Sequence, residues 1–190
     1  MRFTQAELAA YRGAVVDDLI GDDCRLLFVG INPSLRTAAT GAHFARPGNR
    51  FYPALYRAGI LDRLVDASNG YTDADREMLL RRGIGITNVA PRATARADEL
   101  TSDELRAGKQ RLLDTVRAVA PRVVAVAGIT AYRIAFQRRE AVTGEQDEQL
   151  ATTPLWIVPN PSGLNAHETV DSLAAAYRRV GEAAGIVGGP

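Results

Sequence analysis

Two asparagines stand where an apolar run gives way to a sharp polar turn. Asn32 lies in Gly30-Ile-Asn-Pro-Ser-Leu-Arg-Thr37, launched from Leu26-Leu27-Phe28-Val29, and Asn160 lies in Trp156-Ile-Val-Pro-Asn-Pro-Ser-Gly-Leu164. A carboxamide has a donor end and an acceptor end, so it can hold and aim a polar partner without accepting a proton near neutral pH. Gly30 gives the first turn backbone freedom, and Pro33 fixes the next bend and removes a donor. Open α/β sheets bind their ligands outside the carboxyl ends of the strands. Two strand-end loops sharing Asn-Pro-Ser therefore predict one site built from two sides. The competing reading of Asn32 is a turn cap, a common use of asparagine.

The rest of the chain must supply the frame. Apolar spacing from Thr4 to Ile20 predicts a helix, with Thr4 as cap and Glu7 three positions on. Arg25–Ile31 reads as a buried strand, and Ser34–Gly48 as a long loop of the kind that often carries function. Helices are predicted at Asn49–Gly59, Thr72–Arg82, Ser102–Ala120, Thr130–Arg138 and Thr169–Ala184, punctuated by Gly59, Gly83 and Pro121. Strands are predicted at Ile84–Val89, Arg122–Ala127 and Leu155–Val158. Residues 141–152 are polar and acidic, a surface loop or a hairpin, and 185–190 form a frayed tail. Strands alternating with helices imply a three-layer α/β/α sandwich around a mostly parallel sheet of four to five strands.

Bulk properties narrow the class. The chain has 190 residues and 46% hydrophobic content, which fits a single domain, residues 1–190, with a real core. No run is long and apolar enough to span a bilayer, so no membrane partner is expected. Met1–Asp18 carries acids and no long apolar stretch, so it does not read as a secretory signal. A single cysteine, Cys24, leaves no disulfide framework and no cysteine-rich zinc site; it reads as a packing residue in a reducing cytoplasm. Net charge is +1, but every charged residue from Arg25 to Ile60 is an arginine: Arg25, Arg36, Arg46, Arg50 and Arg57. That run fits a positive face for a phosphate-bearing ligand or a chance of composition.

Three blocks carry a family resemblance. GINPSLRTAATGAHFARPGNRFY (Gly30–Tyr52) resembles the first motif of the mismatch-specific uracil/thymine DNA glycosylases, the Mug/TDG group of the uracil-DNA glycosylase superfamily. GITNVAPRAT (Gly85–Thr94) resembles their middle strand and turn, and NPSGLNAHE (Asn160–Glu168) their NPSGL loop. Order and spacing agree across roughly residues 25–180. The resemblance implies a monofunctional glycosylase for base excision repair. It would flip and hydrolytically release uracil, with ethenocytosine or thymine as further candidates, from double-stranded DNA and especially opposite guanine. Single-stranded DNA is a further expected partner. No cofactor or metal is implied, and a monomer in a bacterial-type cytoplasm, on the nucleoid when acting, is expected.

The resemblance also implies roles. Asn32 would orient the attacking water, as the catalytic residue. Phe44 would stack on the extruded base, with backbone groups of Ile31 and Phe44 meeting its carbonyls. His43 would touch the base edge or a phosphate, and Thr37, with Arg36, the flipped nucleotide's phosphate. Asn88 would read O4 and N3–H of uracil together. Leu164 would wedge into the vacated stack. Ser162 and Gly163 would let the backbone approach a phosphate, aided by the amino end of the helix near His167, with Asn165 beside them. Arg46 and Arg50 would clamp the DNA backbone. Two departures stand out: Ser34 replaces a family glycine, and Asn165-Ala166 replaces the Ser-Arg that follows the wedge in bacterial Mug. The second puts discrimination for guanine in question. A damage-recognition protein that binds without turnover is the alternative, and a free-nucleoside hydrolase a third reading.

Overall fold

The computed structural model describes residues 3–188, so positions 189 and 190 of the expected tail lie outside the described residues. Five strands form one sheet in the order β2-β1-β3-β5-β4. They are β1 (Leu26–Gly30), β2 (Ile84–Asn88), β3 (Val123–Ala127), β4 (Gly144–Leu150) and β5 (Thr153–Val158). Every pairing is parallel except β4 with β5. Every residue of β1, β2 and β3 is buried, as expected of strands covered on both faces. Alternation along β1 divides the core in two. Leu26 and Phe28 join Phe51, Leu79, Tyr177 and Val180 on one face. Leu27 and Val29 join Leu112, Val116, Tyr132 and Phe136 on the other.

The first face is covered by α3 (Phe51–Arg57), α4 (Asp73–Arg81) and α7 (Val170–Ala183), the second by α5 (Ser102–Val119) and α6 (Ile129–Ala135). Short capping logic sets most boundaries. Thr72, Thr101 and Thr169 cap α4, α5 and α7 through their hydroxyls. The expected three-layer sandwich is therefore the fold. The chain leaves β1 for β2 on one side and reaches β3 on the other, so the switch in strand order falls at β1. That is where a doubly wound sheet opens a crevice.

Two local expectations are corrected and one open choice is resolved. The helix predicted over residues 4–20 is only α1, Gln5–Ala9. Its Thr4–Glu7 capping box forms as expected, but Gly13 turns at φ +82° and the chain then runs extended. Leu19 and Ile86 exchange backbone hydrogen bonds at 2.9 and 2.7 Å, so the segment shields the open edge of β2. The loop predicted over 34–48 contains a helix, α2 (Leu35–Thr40), because Ser34 caps its start and Gly41, at φ +69°, ends it. The open choice at 141–152 resolves as a hairpin: β4 pairs antiparallel with β5 through a turn at Ala151.

Candidate active site

A cavity of about 800 Å³ opens at the carboxyl ends of β1, β2, β3 and β5, within the size range of ligand sites. One wall is Ile31, Asn32, Ser34 and Thr37, from the β1 turn and α2. A second is His43, Phe44, Arg46 and Asn49, from the segment between α2 and α3. Asn88 stands at the end of β2, with Thr94, Arg96 and Asp98 beyond it. Asn160, Ser162, Leu164 and Asn165 close the side above β5. Thus the two Asn-Pro-Ser loops do line one cavity.

The carboxamide of Asn32 is held by its nitrogen. Nδ2 donates to the Thr94 hydroxyl at 2.7 Å, with the carbonyls of Pro33 and Arg92 at 3.0 and 3.2 Å. Those acceptors fix which end is which, because a carbonyl can only accept. Among the described residues Oδ1 accepts nothing and is left as the acceptor at the cavity. Thr94 is itself oriented, donating to the Arg96 carbonyl at 2.7 Å, and its backbone pairs with the β1 turn through Thr94 N–H to Pro33 O at 3.1 Å. Thr94 closes the GITNVAPRAT block, but nothing in the sequence around it points to a task. A threonine 62 positions from Asn32 shows its partner only once the chain is folded.

Asn88 lies beside Gly30 in the β1–β2 register and is only 5% exposed. A Cβ on residue 30 would stand 2.5 Å from Asn88 Oδ1, so the glycine is what allows the amide to lie across the strand end. The Asn88 carbonyl accepts from Arg111 of α5, and Gly108 of the same helix packs against the carbonyl of Val89. Neither Gly108 nor Arg111 was legible as part of a site. Phe44 takes a left-handed backbone at φ +54°, a conformation that costs about 1–2 kcal/mol for a residue with a Cβ. Its ring stacks on Phe51 with centroids 3.9 Å apart and planes 22° apart, which anchors the residue from one side.

Several expected contacts are redistributed. His43 is 2% exposed, and both ring nitrogens are engaged, Nε2 with the Asp17 carbonyl at 3.0 Å and Nδ1 with Asn88 Nδ2 at 3.4 Å. It has no free edge for a base or a phosphate. Burial lowers its pKa below the usual imidazole value, outweighing the Asp17 carbonyl and Asp18. Two phenols hold its backbone: Tyr71 accepts its N–H and Tyr52 donates to its carbonyl, each at 3.0 Å. Thr37 is buried, with its hydroxyl 3.1 Å from that of Ser34. The Ser34 hydroxyl caps α2 by accepting the Thr37 N–H, which gives this departure from the family pattern a local role.

Arg50 does not reach the cavity lining. Its guanidinium donates to the carbonyls of Ser162, Asn165 and Glu168, bracing the β5–α7 loop. Gly163 is also outside the lining: a Cβ there would meet the Gly48 carbonyl at 2.7 Å, so its small size serves loop packing, not access to a phosphate. The amino end of α7 begins at Val170, past His167, and is capped by Thr169. Leu164 is 72% exposed at the rim, and Arg46 stands exposed there with no ion pair among the described residues. Ile31 lines the cavity while its carbonyl accepts from Ala90 N–H at 2.9 Å. Asn165 is tied inward, donating to the Asn160 carbonyl at 3.2 Å. The arginine run does not form one face: Arg25 sits at the far end of β1, donating to the Arg82 and Gly185 carbonyls. No cluster of histidine, cysteine and acidic side chains fit to hold a metal occurs among the described residues. Cys24 is buried, and burial pushes its thiol up to about 11, away from nucleophile behaviour.

The profile of the uracil DNA glycosylase superfamily matches residues 18–180. Among solved structures, the fold matches a solution NMR structure of a candidate uracil DNA glycosylase from Methanosarcina acetivorans with a TM-score of 0.59. The two are 16% identical, over 90% of this chain and 98% of that one; at that identity the likeness speaks for the fold.

Proposed function

The chain belongs to the uracil DNA glycosylase superfamily, and from that premise we propose that it is a monofunctional glycosylase of the mismatch-directed kind, acting alone on uracil extruded from DNA. The carrying observation is the Asn32 amide, tethered by its nitrogen, with its oxygen unengaged among the described residues, at the same cavity that Asn88 and Phe44 line. Asn32 Oδ1 accepts a hydrogen bond from water and aims its oxygen at the anomeric carbon. The glycosidic bond breaks as the sugar takes on oxocarbenium character, and its electron pair leaves with the base. Water oxygen bonds the sugar carbon, and its proton passes to solvent, because the amide does not take it. The Asn88 amide accepts from N3–H and donates to O4, where negative charge develops. Such groups accelerate mainly by position and preorganised dipoles.

The exposed Leu164 supports a wedge into the duplex, and Arg46 a phosphate contact. With Asn165-Ala166 after the wedge, preference for guanine opposite the lesion is the finest part of this reading. The compartment proposed is the cytoplasm, with the nucleoid as site of action. The test is single-turnover release of uracil from G·U and A·U duplexes and from single strands, with enzyme in excess. Asn32→Ala should slow release by about 100-fold or more. A parental rate in that variant would overturn the role, and tight binding with no release by the parent would identify a damage-recognition protein instead, an outcome that the weakly activating amide keeps in view.

A further inference from the structure

Reading uracil through Asn88, the role on which this inference rests, requires the amide to keep one orientation. Uracil offers an acceptor at O4 and a donor at N3; cytosine offers a donor at N4 and an acceptor at N3. An amide free to turn end for end serves both equally. Here the choice is made from behind the amide. His43 Nε2 is 3.0 Å from the Asp17 carbonyl, which can only accept, so the ring proton sits on Nε2. Nδ1 of the neutral ring is then a bare acceptor, and Asn88 Nδ2 lies 3.4 Å from it. On the other side Asn88 Oδ1 lies over Gly30, in space that only a missing Cβ leaves open.

We propose that His43 is a positioning residue for specificity: it locks the Asn88 nitrogen toward itself, leaving Oδ1 and one N–H as an acceptor–donor pair that fits uracil and opposes cytosine. Turning the amide around would set Oδ1 against the lone pair of Nδ1 in a buried site, leaving two acceptors without a proton between them. The ring cannot compensate by changing tautomer, because Nε2 would then face the Asp17 carbonyl without its proton. Two further groups act on the ring: Asp18 favours its charged form and Arg76 opposes it. The hydroxyls of Tyr52 and Tyr71 hold the His43 backbone in place. Selectivity against cytosine thus comes from a side chain that never touches the base.

The first measurement uses the intact parent protein. Long-range nitrogen–proton NMR of the His43 ring at pH 7.5 should show a protonated Nε2 and an unprotonated, pyridine-type Nδ1; a protonated Nδ1 overturns the proposal. The second uses H43Q, which keeps an N–H for the Asp17 carbonyl but offers no acceptor to Asn88, and H43N, which returns an amide oxygen at the place of Nδ1. The readout is the ratio of dissociation constants for duplexes carrying non-cleavable 2′-fluoroarabinouridine or 2′-fluoroarabinocytidine. H43Q should narrow the parental ratio by at least about tenfold, and H43N should bring it back to within about threefold of the parent. An unchanged ratio in H43Q refutes the lock. If Asn88→Ala at the same time abolishes uracil release, the reading of uracil by Asn88 stands without it. If Asn88→Ala releases uracil at the parental rate, the underlying reading fails instead. Should neither His43 variant fold, the ring-nitrogen shifts decide.

Discussion

Asn32 and Asn88 are the same residue type under two kinds of restraint. Asn32 is fixed by acceptors around its nitrogen, which leaves its oxygen without a partner among the described residues. Asn88 is fixed by an acceptor on one side and by a missing side chain on the other. The second restraint is open to a clean test. In Gly30→Ala the new methyl would lie 2.5 Å from Asn88 Oδ1. That oxygen is the tip of a side chain, so the fold can yield, but the amide must leave its place. Displacing a reacting-site group by a fraction of an ångström commonly costs about 10- to 100-fold in rate. Gly30→Ala should therefore slow uracil release by that factor, with a melting temperature within a few degrees of the parent. A variant that melts early and keeps its rate would show that Gly30 matters for packing alone.

At the scale of elements, β1 and β2 end side by side and α5 holds that end in place. Gly108 meets the carbonyl of Val89, and Arg111 reaches that of Asn88. Two effects compete in Gly108→Ala. Helix propensity favours alanine by about 1 kcal/mol, whereas overpacking costs about 1–3 kcal/mol. The contact is with backbone, which cannot swing aside, so the packing cost should reach the upper part of its range and win by up to about 2 kcal/mol. Differential scanning calorimetry should place the variant several degrees below the parent; a rise in melting temperature would mean that α5 can shift away from β2 without penalty. The extended segment after α1 acts at the opposite edge of the same strand, where Leu19 pairs with Ile86. Together they fix β2, and with it Asn88.

At the scale of the whole molecule, the cavity lies at the carboxyl ends of the parallel strands and is lined by the loops and by α2 that follow them, while Arg25 sits at the amino end of β1. In the proposed reading that face meets DNA, with the exposed Leu164 and Arg46 beside the cavity. A wedge matters only where a stack must be filled. Leu164→Ala should reduce uracil release from duplex DNA by about tenfold and leave release from a single strand near the parental rate. Equal losses on both substrates would assign Leu164 to loop structure. The Arg50 brace on the carbonyls of Ser162, Asn165 and Glu168 gives that loop its support.

Local chemistry along the chain was enough to determine the alternation of strands and helices, the Thr4 cap, and the loops that meet at the carboxyl end of the sheet. Those features depend on propensity, apolar period and turn residues within a few positions of one another; the turn drew attention to Asn32, and the family resemblance picked out Phe44, Asn88 and Leu164. Tertiary structure decided the rest. It turned His43 from a candidate base contact into a buried partner of Asn88, and Arg50 from a phosphate clamp into a loop brace. It brought Thr94 to Asn32, and Gly108 and Arg111 to the end of β2. It also ended the predicted first helix at Ala9 and turned the chain at Gly13, so that Leu19 could cover an open strand edge. Each of these depends on a contact distant in sequence, and a buried polar group is oriented by the partner that satisfies it.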